Sequence, residues 1–260
     1  MKEKYRTTIT FLLFCLLILV AFLIVSRPKK EIAKVTTVPA KLKGKIAIVL
    51  DDWGYNLNNL AIAAEIKYPL TASILPNLSF SRAASDDLKR IGFEIILHLP
   101  MEPHERFSLE KNTILTSFSA FQISAIIEKD LNSIDYCVGV SNHMGSKATE
   151  HPRTMQAVFQ EIKKKQLFFL DSLVSSKSIC SGLAAENQIR FVKRDIFLDN
   201  QENPSYIKGQ LIKLKNKARE YGQAVGIGHD RKITLLVLKE MMPELEKEGY
   251  KFVYLSELVK

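Results

Sequence analysis

Four stretches share one design: Ile46-Ala-Ile-Val-Leu-Asp51-Asp52, Phe93-Glu-Ile-Ile-Leu-His98, Val138-Gly-Val-Ser-Asn-His143 and Ala224-Val-Gly-Ile-Gly-His229. Each is a short apolar run, rich in β-branched residues, that ends in a carboxylate or an imidazole. Such runs read as buried strands. In α/β folds the loops after parallel strands converge on one edge, where active sites lie. Two aspartates and three histidines, far apart in the chain, are thus expected to meet in space. Carboxylates with imidazoles are the donor set of a hydrolytic metal centre.

The pattern repeats outward from these four. Further apolar runs occur at Thr71–Leu75, Leu167–Leu170, Ile189–Val192 and Phe252–Leu255. Between the runs lie segments of helical period: Phe118–Ile134, Met155–Leu167, Tyr206–Tyr221 and Leu235–Glu248, the last stopped by Gly249. Alternating strand and helix predicts a mostly parallel sheet. Seven or eight units without a Gly-x-Gly-x-x-Gly turn favour a closed or nearly closed (β/α) barrel over a dinucleotide-binding sheet.

Length and charge bound the rest. The chain has 260 residues and a formal net charge of +9. Residues 1–26 contribute +2 and residues 27–45 contribute +6, so residues 46–260 carry only +1. A near-neutral domain argues against nucleic-acid binding. Lys2, Lys4 and Arg6 precede an uncharged run from Thr7 to Ser26, long enough at about 20 residues to be read as a membrane-spanning helix. The expected organisation is an anchor or signal sequence over 1–26, a basic linker over 27–44 and a catalytic domain over 45–260. The membrane contact would run through residues 7–26, with the domain facing the periplasm or cell exterior. Three cysteines are present; Cys137 and Cys180 are expected as buried free thiols, with pairing as the alternative.

Adjacent residues leaving a strand point in different directions. Asp51 and Asp52 can therefore divide two tasks, one binding a metal and one moving a proton; capping of the next helix is the plain alternative. His98 enters the proline-stiffened loop Leu99-Pro-Met-Glu-Pro-His104, in which Glu102 is a candidate ligand or supporting partner. His143 lies among small residues, and glycines surround His229. His104 and His151 are expected at the surface. No Gly-x-Ser-x-Gly elbow is present, so water activated by a metal is favoured over a serine or cysteine nucleophile.

These residues resemble a known family. Asp51-Asp52-Trp-Gly resembles the first motif of polysaccharide deacetylases of the NodB type, and Gly228-His-Asp with Gly249-Tyr-Lys-Phe-Val-Tyr-Leu resembles the last. The middle motifs are His98-Leu-Pro-Met-Glu-Pro103, Asn142-His-Met-Gly-Ser146, Phe169-Leu-Asp-Ser172 and Arg194-Asp-Ile-Phe-Leu-Asp-Asn200. They resemble the divergent polysaccharide deacetylases. The resemblance implies a distorted barrel of about seven parallel strands and a divalent metal, usually zinc. It also implies removal of acetyl groups from a polysaccharide, here peptidoglycan or another envelope glycan. Carried over by motif, Asp51 is the general base and His229 the general acid. Asp52 and His98 are ligands. Ordinary members have a second ligand histidine four residues after the first, where this chain has Glu102. His143 is the preferred replacement and Glu102 the alternative. Asp171 and Asp195 are expected to orient His229 or bind sugar; Trp53, Asn142 and Arg194 are expected to contact substrate. The other class of function is a catalytically silent envelope protein that binds glycan or a partner through the same cleft.

Overall fold

The structure, a computed structural model, describes residues 2–25, 42–105 and 108–260. The chain divides into two units, 1–39 and 40–260. In the first unit the described residues form one helix, α1 (Lys2–Val25). Among the described residues no helix is long and apolar enough to cross a membrane. This overturns the expected spanning helix. Four charged residues and three threonines open the segment, so the wholly apolar part is Phe11–Val25, 15 residues. At about 1.5 Å per residue it rises about 22 Å, short of a hydrocarbon core of about 30 Å. The expected linker falls almost entirely on residues 26–41, outside the described residues.

The second unit alternates as the sequence predicts. In chain order come β1 (Gly44–Trp53), α2 (Leu60–Ala63), β2 (Thr71–Ile74), α3 (Ser81–Arg90), β3 (Glu94–Met101), α4 (Ala120–Leu131), β4 (Cys137–Met144), α5 (Pro152–Lys164) and β5 (Phe168–Asp171). There follow α6 (Cys180–Asn187), β6 (Phe191–Lys193), β7 (Ile196–Phe197), α7 (Pro204–Tyr221), β8 (Gln223–His229), α8 (Lys232–Lys247) and β9 (Tyr250–Phe252). Caps fit the local sequence. Ser119 and Gln122 form a capping box on α4, and Pro152 and Pro204 occupy first turns whose N-caps are His151 and Asn203.

Every ladder is parallel, in the order β6-β5-β4-β3-β2-β1-β8-β7. β1 is central: β8 covers one edge over residues 45–51, while β9 and β2 share the other. The sheet must curl. Eight strands laid flat would put β6 and β7 about 34 Å apart at about 4.8 Å per strand. Only Arg194 and Asp195 join them, a reach of about 11 Å. No ladder joins β6 to β7 in the sheet order. The result is an incomplete parallel barrel.

Side-chain parity along the strands decides where each residue points. In β1, Ile46, Ile48 and Leu50 pack in the large cluster beneath the helices, whereas Ala47 and Val49 join the smaller cluster inside the barrel. Asp51 continues the inner row. By the same count His98 follows Ile96 in β3, and His229 follows Val225 and Ile227 in β8. In β4, Val140 belongs to the outer cluster, so Ser141 and His143 fall on the inner row. Two expected site residues fail this test. Asn142 shares parity with Val140, and Asp171 with the outer Phe169. Cys137 and Cys180 are free thiols. Burial pushes them up to about 11 and about 12, out of reach of thiolate chemistry at neutral pH.

Candidate metal and proton-transfer site

Asp51 and Asp52 both reach the barrel mouth because β1 is irregular there. Leu50 pairs with Ala72 and Trp53 with Ile74, so three residues of β1 advance while β2 advances two. Asp52 absorbs the bulge at φ +66°, a conformation costly for a non-glycine residue and characteristic of functional sites. The same bulge turns Trp53 into the core, where it is fully buried. That corrects its expected role as a substrate contact.

Asp52, His98 and His143 each offer a donor atom, and the three atoms lie within 4.8 Å of one another. Asp52 Oδ1 is 3.3 Å from His98 Nε2 and 3.2 Å from His143 Nδ1. Yet Asp52 Oδ1 is buried with no hydrogen-bond partner, so neither contact has hydrogen-bond alignment. A carboxylate oxygen and two imidazole nitrogens converging on one point fit a cation. One carboxylate and two imidazoles with an open side are a normal zinc-type donor set. The support behind them is also present. His98 Nδ1 lies 2.7 Å from Ser141 Oγ, which lies 2.6 Å from Ser73 Oγ, both serines fully buried. A proton held on Nδ1 leaves Nε2 free to ligate. The His98 and His143 rings meet edge to face, centroids 4.9 Å apart.

Asp51 sits beside this cluster, with Oδ2 3.6 Å from His98 Nε2. Its other oxygen is buried without a partner. The two aspartates are driven apart. Burial holds Asp51 above the ordinary carboxylate range, against the pull of His98 and His229. Burial works the same way on Asp52, but His143 and His98 outweigh it and hold it far below that range. Neighbouring carboxylates with divergent proton affinities are the usual mark of separate acid–base and binding roles.

His229 is paired directly across the ladder from Asp51. Its Nδ1 lies 2.7 Å from Asp199 Oδ1, and its backbone N–H donates to Asp199 Oδ2 at 2.9 Å. Thr234 Oγ1 donates to the same oxygen at 2.6 Å. Burial disfavours a charged imidazole here, but Asp199, then Asp51 and Asp52, reverse the balance and raise His229. Asp199 thus does what was expected of Asp195. Asp195 stands before β7, at the far edge of the sheet, accepting from Val225 N–H at 2.8 Å. Asp199 follows β7, at the site edge. The motif Arg194-Asp-Ile-Phe-Leu-Asp-Asn200 contains both, and a two-residue strand is too short for periodicity to say which aspartate leads in and which leads out.

The remaining candidates are engaged elsewhere. Glu102 Oε2 accepts from Thr116 N–H and Oγ1 at 2.6 and 2.7 Å, and Oε1 from Lys147 at 2.6 Å. It ties three loops together and is absent from the donor cluster. Asn142 bridges Met144 O and the Ser172 N–H. Asp171 accepts from Leu173 N–H and Ser178 Oγ. Arg194 donates to Ser172 O and Leu173 O and lies over the Phe197 ring, which stacks on His229. Sequence reasoning also passed over Asp230. Burial first, then nearby Asp52, push its carboxyl up to about 6 against the Asn59 hydrogen bond, and its N–H donates to Asp51 O at 2.8 Å.

A family model described as divergent polysaccharide deacetylase matches residues 48–259. The chain is 34% identical over 204 residues to the uncharacterized protein YibQ of Escherichia coli K12. That alignment covers 78% of this chain but 64% of YibQ, so the chain spans less than two thirds of that relative's length. An uncharacterized Haemophilus influenzae protein is 32% identical over 206 residues, covering 79% of this chain and 74% of its own. Among solved structures, the uncharacterized protein ATU2773 of Agrobacterium tumefaciens C58 superposes with a TM-score of 0.78 at 24% identity, covering 85% of this chain and 90% of its own. That likeness shows a shared fold.

Proposed function

This chain belongs to the divergent polysaccharide deacetylase family, and on that premise we propose that it is a metal-dependent hydrolase that removes acetyl groups from an envelope polysaccharide. The observation that carries the reading is the meeting of three donors, Asp52, His98 and His143, with Asp51 and His229 paired across β1 and β8. A divalent cation on those donors, zinc by the donor set, would supply Lewis-acid polarisation of the acetyl carbonyl.

The chain's own residues supply the proton traffic. Asp51, held by burial at a raised proton affinity, accepts the proton of the attacking water. His229, whose proton affinity Asp199 raises, donates to the departing amine nitrogen or hydroxyl oxygen. Acetate and a free amine or hydroxyl result. The supporting side chains Ser73, Ser141 and Asp199 are buried, so the groups are positioned before substrate arrives. Acetylated envelope polymers lie outside the cytoplasm, and the reading puts the domain there.

The test is acetate release from peptidoglycan and from N-acetylated chitooligosaccharides by the zinc-loaded chain. Release that disappears in Asp51→Asn and His229→Ala supports the reading. A chain that binds zinc and releases no acetate from either substrate sinks it in favour of a glycan-binding protein without activity.

A further inference from the structure

The barrel is open along one seam. β7 is two residues long, so it covers β8 only at residues 226 and 227. Before that point the edge of β8 away from β1 has no strand, and no ladder joins β7 to β6. A cavity of about 430 Å³ occupies the seam. Its lining runs from β6 and the start of β8 to Leu258 and Lys260. Lys260 is fastened to β6: Phe191 N–H donates to Lys260 O at 2.9 Å, and Lys260 N–H to Phe191 O at 3.3 Å. Val225, the lining residue furthest along β8, stands four positions before His229, a rise of about 13 Å along the strand. None of the lining residues belongs to the donor cluster or carries a proton in the transfers above.

One wall of the cavity is apolar. Val225 and Leu258 are buried members of the inner cluster, and Val192 packs against it. Phe191 adds a ring. The polar part of the lining holds one aspartate, and its charge is already answered. Asp195 Oδ2 accepts from Val225 N–H at 2.8 Å, and Oδ1 faces Lys217 Nζ at 3.9 Å. Gln223 spends its Nε2 on Leu258 O at 3.3 Å. The ammonium groups of Lys193 and Lys260 and the hydroxyl of Ser181 also line the cavity. Among the described residues these three side chains have no hydrogen-bond or ion-pair partner. Unanswered donors, two of them cationic, suit an oxyanion. The apolar wall beside them suits a hydrocarbon body. The volume is within the usual range for small-molecule sites, about 300–1,000 Å³.

We propose that the seam cavity is a second binding site, for an amphipathic anion whose head group meets Lys193 and Lys260 and whose hydrocarbon body lies along Val192, Val225 and Leu258. The site stands whether or not the chain releases acetate. Calorimetry on the full chain tests it with butanoate, hexanoate and octanoate, and with 1-octanol as the neutral control. A chelator is kept present, so that no carboxylate is drawn to a cation on Asp52, His98 and His143. Affinity should rise about two- to fourfold per added methylene, the upper figure being full burial of one CH₂. Octanol should bind about tenfold more weakly than octanoate, for want of the charged hydrogen bonds. Lys193→Gln, an exposed change, should weaken octanoate about three- to tenfold and leave octanol unmoved. Lys193→Arg should keep most of the octanoate affinity. Lys111→Gln, at an exposed lysine outside the cavity, should change nothing. No octanoate binding, a flat series from butanoate to octanoate, octanol as tight as octanoate, or octanoate binding unmoved by Lys193→Gln overturns the site. Equal weakening by Lys193→Gln and Lys111→Gln overturns it too, since net charge alone would then account for the binding.

Discussion

At the scale of single residues, the central feature is that two adjacent aspartates see the same cavity differently. Asp52 has two imidazoles at 3.2 and 3.3 Å; Asp51 is buried with one oxygen unpartnered. Asp51→Asn should therefore keep the metal and lower acetate release by about 10²–10⁴-fold, the usual loss for a general base. Asp52→Asn should lower metal affinity instead, with activity partly restored by excess zinc. Metal content and acetate release measured on both variants check the division; equal metal loss would show that the pair acts as one ligand unit. Asp199 gives a second prediction. His229 is raised from 6.5. An acid that must be protonated loses activity as pH rises through its own pKa, so the alkaline limb of kcat/KM should lie above that value. Asp199→Asn should move the limb to lower pH, which a pH–rate profile would show. Asp51, His98, His143 and His229 were legible because each ends an apolar run on the inner parity; Asp52 adjoins Asp51 but has the outer parity and reaches the site only through the β1 bulge. Asn142 and Asp171 also end runs, but on the outer parity, and reading a run's end without its phase could not separate them.

At the scale of elements, the site is a property of neighbouring strands. Ser73 in β2, Ser141 in β4 and His98 in β3 form one buried hydroxyl–imidazole line across three strands. Ser141→Ala should cut metal affinity by about 10–100-fold, the usual effect of removing such a support, while the fold survives. Titration with a competing chelator measures this, and unchanged affinity would mean that His98 is oriented by packing alone. The long strands were readable from their apolar runs. β7, at two residues, carries no period, and β9 (Tyr250–Phe252) ends where the expected run Phe252–Leu255 begins. The β1 bulge was not readable either, since the sequence shows Asp51-Asp52 without the φ +66° that aims both at one point. Helices α3 and α6 were missed for separate reasons: α3 is mostly polar, and α6 has eight residues with scant amphipathic pattern.

At the scale of the whole molecule, a near-neutral α/β domain with parallel strands follows from charge bookkeeping and alternation. The spanning helix does not, because a long uncharged run is not the same as a long apolar one. Stability has one legible weak point. Asp130 is pushed by burial up to about 7 from 3.8. Below about pH 4 the group is protonated in folded and unfolded chains alike. Between about 4 and 7 the unfolded chain releases the proton first, so stability falls as pH rises. Asp130→Asn should remove that slope and raise stability by about 1–3 kcal/mol at pH 8, with no gain at pH 3.5. Thermal melts at the two pH values decide it, and a loss at both would mean that the carboxylate is needed in its charged form. The central claim, a metal centre made of Asp52, His98 and His143, is tested most directly by counting bound zinc per chain. Wild type, Glu102→Ala and His143→Ala are compared after dialysis against a weak chelator. The account predicts about one ion for wild type and for Glu102→Ala, whose carboxylate is held by Thr116 and Lys147, and near none for His143→Ala. Zinc lost from Glu102→Ala and retained by His143→Ala would contradict it.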